Sequence, residues 1–260
     1  LFWVNVAMSL IITAALALAA PAVSWFYGDP RLTPVTRALA VSFVFGGLTI
    51  QHQALLRRHM RFKALGLIDI AAMATGVATA IVAALMGAGY WSLVLMHIAT
   101  AFATMLGVWL TEHWLPGRPT RKSGTKPMLH FGKDITGFSV VNYFARNLDN
   151  ILIGRFIGAA ALGLYAKAYG LMMLPIAQIR APLQSVALPA LSRLQTQPER
   201  YRKYYLNLIH LLGFATIPLM ILLFIASKDF VRLILGSQWM GSIPIFRVLC
   251  LAALIQPIAS

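Results

Sequence analysis

Long apolar blocks make up most of the chain, and short polar turns separate them. Blocks such as AMSLIITAALALAA do not alternate polar and apolar positions, as strands of a membrane barrel do, so they read as helices. A hydrocarbon core about 30 Å thick is crossed by about 20 residues of helix. On that measure the turns predict helices over 1–26, 35–56, 64–86, 90–114, 134–157, 159–188 and 204–227, with an eighth beginning near 242. The expected class is therefore all-α, a polytopic membrane protein.

Composition narrows this further. Hydrophobic residues make up 59% of the chain and charged residues 11%, far from the balance of a soluble globule. The formal net charge of +15 would suit nucleic acid if the basic residues shared a soluble face. They instead sit in short runs between apolar blocks, so no nucleic-acid partner is expected. Arg57, Arg58, Arg61 and Lys63 occupy the second connection, Arg118, Arg121, Lys122, Lys126 and Lys133 the fourth, and Arg193, Arg200, Arg202 and Lys203 the sixth. The alternate connections hold only Arg31, Arg37, Lys228 and Arg232. The asymmetry of 13 against 4 places the even-numbered connections in the cytoplasm by the positive-inside rule and accounts for much of the net charge.

The polar stretch from Leu115 to Gly132, rich in Pro, Gly and basic residues, reads as a cytoplasmic linker. It divides the chain into an N-terminal bundle (1–114), the linker (115–132) and a C-terminal bundle (133–260). Because the chain opens on LFWVNVAMSL and ends within the apolar run LCLAALIQPIAS, it reads as a piece of a longer protein. Cys250, the single cysteine, allows no disulfide framework within the chain and is expected to fill apolar space. GxSxG, P-loop and HExxH motifs do not occur, and no carboxylates are paired for acid–base work. Enzymatic activity, a cofactor or a metal is therefore not expected.

Charges inside the predicted helices carry the candidate chemistry. At 100° per residue, Asn142, Arg146, Asp149 and Asn150 share one stripe of the fifth helix, with Arg155 on the other side. A charge near the bilayer midplane is costly, so this stripe faces protein or water. Arg146 and Asp149, three residues apart, either tie helices together or line a hydrated surface, and Asn142, Asn147 and Asn150 favour the latter. Arg155 is expected to snorkel to the outer interface. The sixth helix adds Lys167 and Gln178 on one face and Arg180 nearer the cytoplasmic end. Cations outnumber anions across these two helices, which suits an anionic substrate. Asp69 is expected to find a local basic partner near Arg61 and Lys63, and His97, alone in an apolar helix, to be a hydrogen-bonded packing residue.

The strings LDNILIGRFIG, LGLYAKAYGLMMLP, VALPALSRLQ and LILGSQWMGSIPIFRVL resemble the polysaccharide-transporter family, the Wzx-type flippases of O-antigen, colanic acid and related repeat units. The resemblance is carried mainly by these segments and, more loosely, by the QHQALLRRHMRFK loop and the helix layout. It implies a two-lobed bundle of about 12 to 14 helices, built like multidrug antiporters of the same superfamily, of which this chain supplies about the third to the tenth. It also implies transport of an undecaprenyl-diphosphate-linked oligosaccharide across the bacterial inner membrane, among membrane lipids and in company with glycan polymerase machinery. On that map Arg146, Lys167 and Arg180 would meet the diphosphate, with Asn142, Asn150 and Gln178 beside them and Asp149 as charge partner or coupling group. A cation-coupled multidrug antiporter would favour acids and aromatics in its cavity, and a membrane glycan polymerase or ligase would need a large outer loop.

Overall fold

A computed structural model of the chain describes residues 1–117, 126–195 and 197–254; the side chains of residues 126–131, 133–135, 180–182, 184–186, 188–190 and 193 lie outside that description. All regular structure among the described residues is helical. The helices are α1 (Phe2–Tyr27), α2 (Leu32–Arg58), α3 (Phe62–Leu85), α4 (Trp91–Thr111), α5 (Lys126–Phe156), α6 (Ala159–Arg193), α7 (Pro198–Ile225), α8 (Ser227–Leu235) and α9 (Ile243–Ala253), with a 3₁₀ turn at Ser237–Ser242 before α9. Six of them, α1 to α4, α7 and the Ala159–Ile179 part of α6, are long and apolar enough to cross a membrane. The chain is a multi-pass, all-α membrane protein.

Beyond shifts of up to six residues at helix ends, such as 198 for 204 at the start of the seventh, two differences from the hydropathy prediction stand out. The fifth helix begins at Lys126, inside the stretch expected to be linker, because Pro127 falls in its first turn, where a missing N–H costs nothing, and MLHF behind it continues the helix. The short helix α8 was not expected: nine residues are too few to register as an apolar block, and its apolar residues lie on one side only. Among the described residues α5 is not one of the six spans, since its own polar stripe lowers its hydropathy.

The chain divides into two compact units, Leu1–Asn142 and Tyr143–Ser260. In the N-terminal unit α1 packs on α2, α2 on α4 and α3 on α4. Small residues set these approaches. An added Cβ on Gly47 of α2 would lie 2.6 Å from Ser9 Cβ and 3.1 Å from the Asn5 carbonyl oxygen of α1. One on Gly76 of α3 would lie 3.0 Å from the Met96 carbonyl oxygen of α4. Thr13 Oγ1 bridges α1 to α2, 2.8 Å from the Ser9 carbonyl oxygen and 3.0 Å from that of Ala40. This is packing by close backbone approach, as expected where lipid removes the hydrophobic drive between helices.

At the end of this unit nearest the basic connections, aromatic rings close around His52. The fully buried imidazole stacks on Trp109 at 4.3 Å between centroids, and its Nε2 lies 3.1 Å from the Trp114 carbonyl oxygen. Phe2 meets both rings edge-on, and Trp109 Nε1 donates to the Leu48 carbonyl oxygen at 3.1 Å. Arg61 crosses from the α2–α3 turn to Glu112, 3.5 Å away, and donates to the Thr111 carbonyl oxygen. Asp69, expected to pair with this basic edge, is exposed and forms no ion pair among the described residues; Glu112, brought close by tertiary packing, takes its place.

In the C-terminal unit α6, α7 and α9 pack on one another around Met172, Met220, Phe246 and Cys250, so the lone cysteine is an apolar filler as expected. The amphipathic α8 turns Val231 into this core, and Arg247 Nε of α9 donates to the buried Ser227 Oγ at 2.7 Å.

Adjacent glycines make the close approach testable. Gly46 has nothing within 4 Å of an added Cβ, whereas Gly47 abuts α1. Gly47→Ala is expected to cost about 1–3 kcal/mol by overpacking, and Gly46→Ala little. Thermal unfolding of the purified protein in detergent, with a lower midpoint for Gly47→Ala alone, checks this.

Candidate functional site

Two features of the fold offer sites, one in each unit. In the N-terminal unit, two cavities of about 740 and 530 Å³ flank α2 and share Ser42, Phe43 and His97 in their walls. Together they form a groove reaching from Leu32 to Gln53 along α2. At 1.5 Å per residue that is about 32 Å, the thickness of a hydrocarbon core.

The groove changes character along its length. Its mouth, at the connections poor in basic residues, holds Asp29, Arg31 and Tyr90. Arg31 grips Asp29 through both carboxylate oxygens, at 2.8 to 3.2 Å, and lies over the Tyr90 ring at 5.9 Å. Those hydrogen bonds hold the Asp29 carboxyl below the usual carboxylate range and raise the Arg31 guanidinium. At neutral pH the mouth is thus an ion pair without net charge. Below it the wall is apolar as far as Ser42, Phe43 and His97, and then Asn5, Ser9, Thr49, Gln53 and Thr104 add neutral polar groups. His97 is therefore not the hydrogen-bonded packing residue its apolar helix suggests. It is exposed, lines both cavities and makes no hydrogen bond among the described residues.

The C-terminal unit holds most of the charges singled out from the sequence. Arg146 on α5 is exposed, while Asp149 and Asn150 are half-buried. Asp149 Oδ1 accepts the Asn150 N–H at 2.8 Å, and Oδ2 accepts the Tyr165 hydroxyl of α6. Tyr165 in turn stacks on Tyr169 at 6.1 Å. Lys167 is exposed, with Nζ 5.7 Å from the centre of the Trp239 ring in the 3₁₀ turn. This is cation–π distance. Arg155 lies over Phe156 at 5.9 Å, and Gln178 is exposed on α6. Asn142, the last residue of the N-terminal unit, is exposed on α5. The side chain of Arg180 lies outside the described residues.

Tyr165 and Trp239 were not among the sequence candidates. A signal for Tyr165 was present: α5 and α6 meet at the turn around Ile157 and Gly158, and Asp149 and Tyr165 stand eight residues to either side of Ile157. Residues equidistant from a tight helix–helix turn come level in the hairpin. Trp239 had no comparable signal, since its approach to Lys167 depends on how α8 and the 3₁₀ turn fold back.

Over residues 1–244 the chain matches the family described as polysaccharide biosynthesis protein. It is 26% identical to the lipopolysaccharide biosynthesis protein WzxC of Escherichia coli (strain K12), over 100% of this chain and 53% of that protein. It is 27% identical to the teichuronic acid biosynthesis protein TuaB of Bacillus subtilis (strain 168), over 98% of this chain and 53% of that protein. With the succinoglycan biosynthesis transport protein ExoT of Rhizobium meliloti (strain 1021) it shares 21% identity, over 96% of this chain and 51% of that protein. The chain thus spans about half the length of these relatives. No solved structure matches it. The resemblance drawn from LDNILIGRFIG and the segments after it is borne out.

The Tyr165–Asp149 contact predicts a difference between two tyrosines. Tyr165→Phe removes a donor to a half-buried carboxylate and is expected to cost about 1–3 kcal/mol. Tyr169→Phe keeps the ring stack, and its hydroxyl has no hydrogen-bond partner among the described residues, so little change is expected. Thermal unfolding midpoints of the two variants, compared in one detergent, decide the matter; equal midpoints count against the contact.

Proposed function

We propose, on the premise that the chain belongs to the polysaccharide biosynthesis protein family, that it is part of a flippase for lipid-linked oligosaccharide. The full-length protein moves an undecaprenyl-diphosphate-linked repeat unit from the cytoplasmic to the periplasmic leaflet of the bacterial inner membrane, for lipopolysaccharide or exopolysaccharide assembly. The observation that carries this reading is the family match across residues 1–244 of a chain whose described residues include six helices long and apolar enough to cross a membrane. The names of its relatives support it: they are polysaccharide biosynthesis proteins, and ExoT is named for transport.

The chemistry of the α5–α6 hairpin supports the same reading. A diphosphate crossing a hydrocarbon layer needs its charge offset along the way. Arg146, Lys167 and Arg180 supply cations, and Asn142, Asn150 and Gln178 supply hydrogen bonds to oxygens the cations leave unmet. Asp149, already holding two donors, acts as a charge partner that keeps the cationic surface from binding its cargo too tightly, or as the group that senses a coupling ion. Alternating access exposes the site to one leaflet at a time. Glycan polymerase machinery is the partner that would take up the delivered repeat unit. A drug antiporter is less well supported, since cations outnumber acids on this hairpin.

Cells lacking the gene and complemented with the full-length protein carrying Arg146→Ala and Lys167→Ala test this. Surface polysaccharide is expected to fall at least about tenfold, the change that 1.4 kcal/mol produces, with membrane insertion unchanged. Normal export by a normally inserted double variant would overturn the assignment of these residues. Normal surface polysaccharide in the deletion strain itself would overturn the function.

A further inference from the structure

The short hydroxyls of the N-terminal groove are answered from within their own helices. Ser42 Oγ donates to the Leu39 carbonyl oxygen at 2.6 Å, Thr49 Oγ1 to that of Phe45 at 2.7 Å, and Thr104 Oγ1 to that of Thr100 at 2.9 Å. Three longer polar side chains in the same walls behave differently. Asn5, Gln53 and His97 line the groove, and none makes a side-chain hydrogen bond among the described residues. Asn5 and Gln53 are half-buried and His97 is exposed, so all three polar ends are available to water or a ligand within the groove.

The chemistry of the groove selects among ligands. Two amides and an imidazole offer donors and acceptors without a fixed charge. Phe43, exposed and shared by both cavities, adds a flat apolar face beside them. A phosphate would need a free cation, but the Arg31 side chain at the mouth is engaged by Asp29 at 2.8 Å. An acyl or prenyl chain would leave the amides and imidazole unmet. A sugar meets both demands, with hydroxyls around its edge for the polar groups and a C–H face for the ring.

We infer that the groove along α2 is a glycan subsite that takes the oligosaccharide portion of the transported lipid. Asn5, Gln53 and His97 hydrogen-bond its hydroxyls, and Phe43 lies under a sugar ring. This rests on the flippase reading above and adds to it a place for the sugars.

The test uses full-length protein in nanodiscs and two probes: the glycolipid that accumulates in source cells with the gene deleted, and undecaprenyl diphosphate without sugar. Gln53→Leu with His97→Leu is expected to weaken glycolipid binding at least tenfold, with undecaprenyl diphosphate bound as by the wild type. Unchanged glycolipid affinity, or equal weakening for both lipids, overturns the subsite and leaves the flippase reading standing. Absence of any accumulating glycolipid, or a wild-type protein that binds neither probe, overturns the flippase reading and the subsite with it. A second measurement does not depend on the double variant folding. In a full-length background from which every cysteine, Cys250 included, has been removed, Gln53→Cys is expected to react with a hydrophilic maleimide and to be protected by the glycolipid but not by undecaprenyl diphosphate. If it does not react because another helix of the full-length chain fills the groove, or if the glycolipid gives no protection, the subsite is overturned.

Discussion

Hydrocarbon offers no hydrogen bonds, and the rest of this structure depends on how its helices answer that. Most serines and threonines of α1 to α4 bond back to their own helix, as Thr75 does to Ala71, Thr100 to Met96 and Thr111 to Gly107. Thr13 goes further and shares its hydroxyl with the neighbouring helix at Ala40. Larger groups need tertiary partners. His52 Nε2 and Trp109 Nε1 find theirs in backbone carbonyls at Trp114 and Leu48, and in doing so tie the ends of α2 and α4 together. The same rule makes Asn5, Gln53 and His97 stand out, because their helices are too regular to satisfy them and no described neighbour does.

Charges follow the rule at higher cost, and several of them are answered by neighbours. Asp149 is held by a backbone N–H and a tyrosine hydroxyl, Lys167 rests on the face of Trp239, and Arg155 leans on Phe156. Such contacts soften the penalty of placing a charge near hydrocarbon. The groove along α2 has no comparable net charge, its one cation being paired at the mouth. The two units therefore present different chemistry: hydrogen bonds and an aromatic face in one, cations in the other. A lipid-linked oligosaccharide carries both complements in a single molecule.

Much of the fold was legible in the sequence, for a physical reason. Crossing a membrane requires a run of apolar residues of nearly fixed length, so helices such as α1, α3 and α7 are written directly in hydropathy. Elements that do not cross escape that rule. α8 was missed because nine amphipathic residues leave no apolar block, and the start of α5 because Pro127 reads as a loop residue unless it is known to lie in a first turn. Among the candidate charges, their presence on α5 and α6 was visible, but the partners they meet were not. Asp149 meets Tyr165, and Lys167 meets Trp239, which is 72 residues away in the chain.

What the sequence by itself determined is the helical class, the helices of the described residues apart from α8, and the helices on which charges lie. Each follows from a local quantity, either a residue's own transfer energy or its spacing along one helix. Tertiary structure decided which polar groups are satisfied. It buried His52 under Trp109, gave Arg61 to Glu112 in place of Asp69, and left His97 facing a groove instead of a partner. The reason is that satisfaction is a property of pairs. Periodicity tells which face a side chain occupies, but only the packing of helices distant in sequence tells what that face meets.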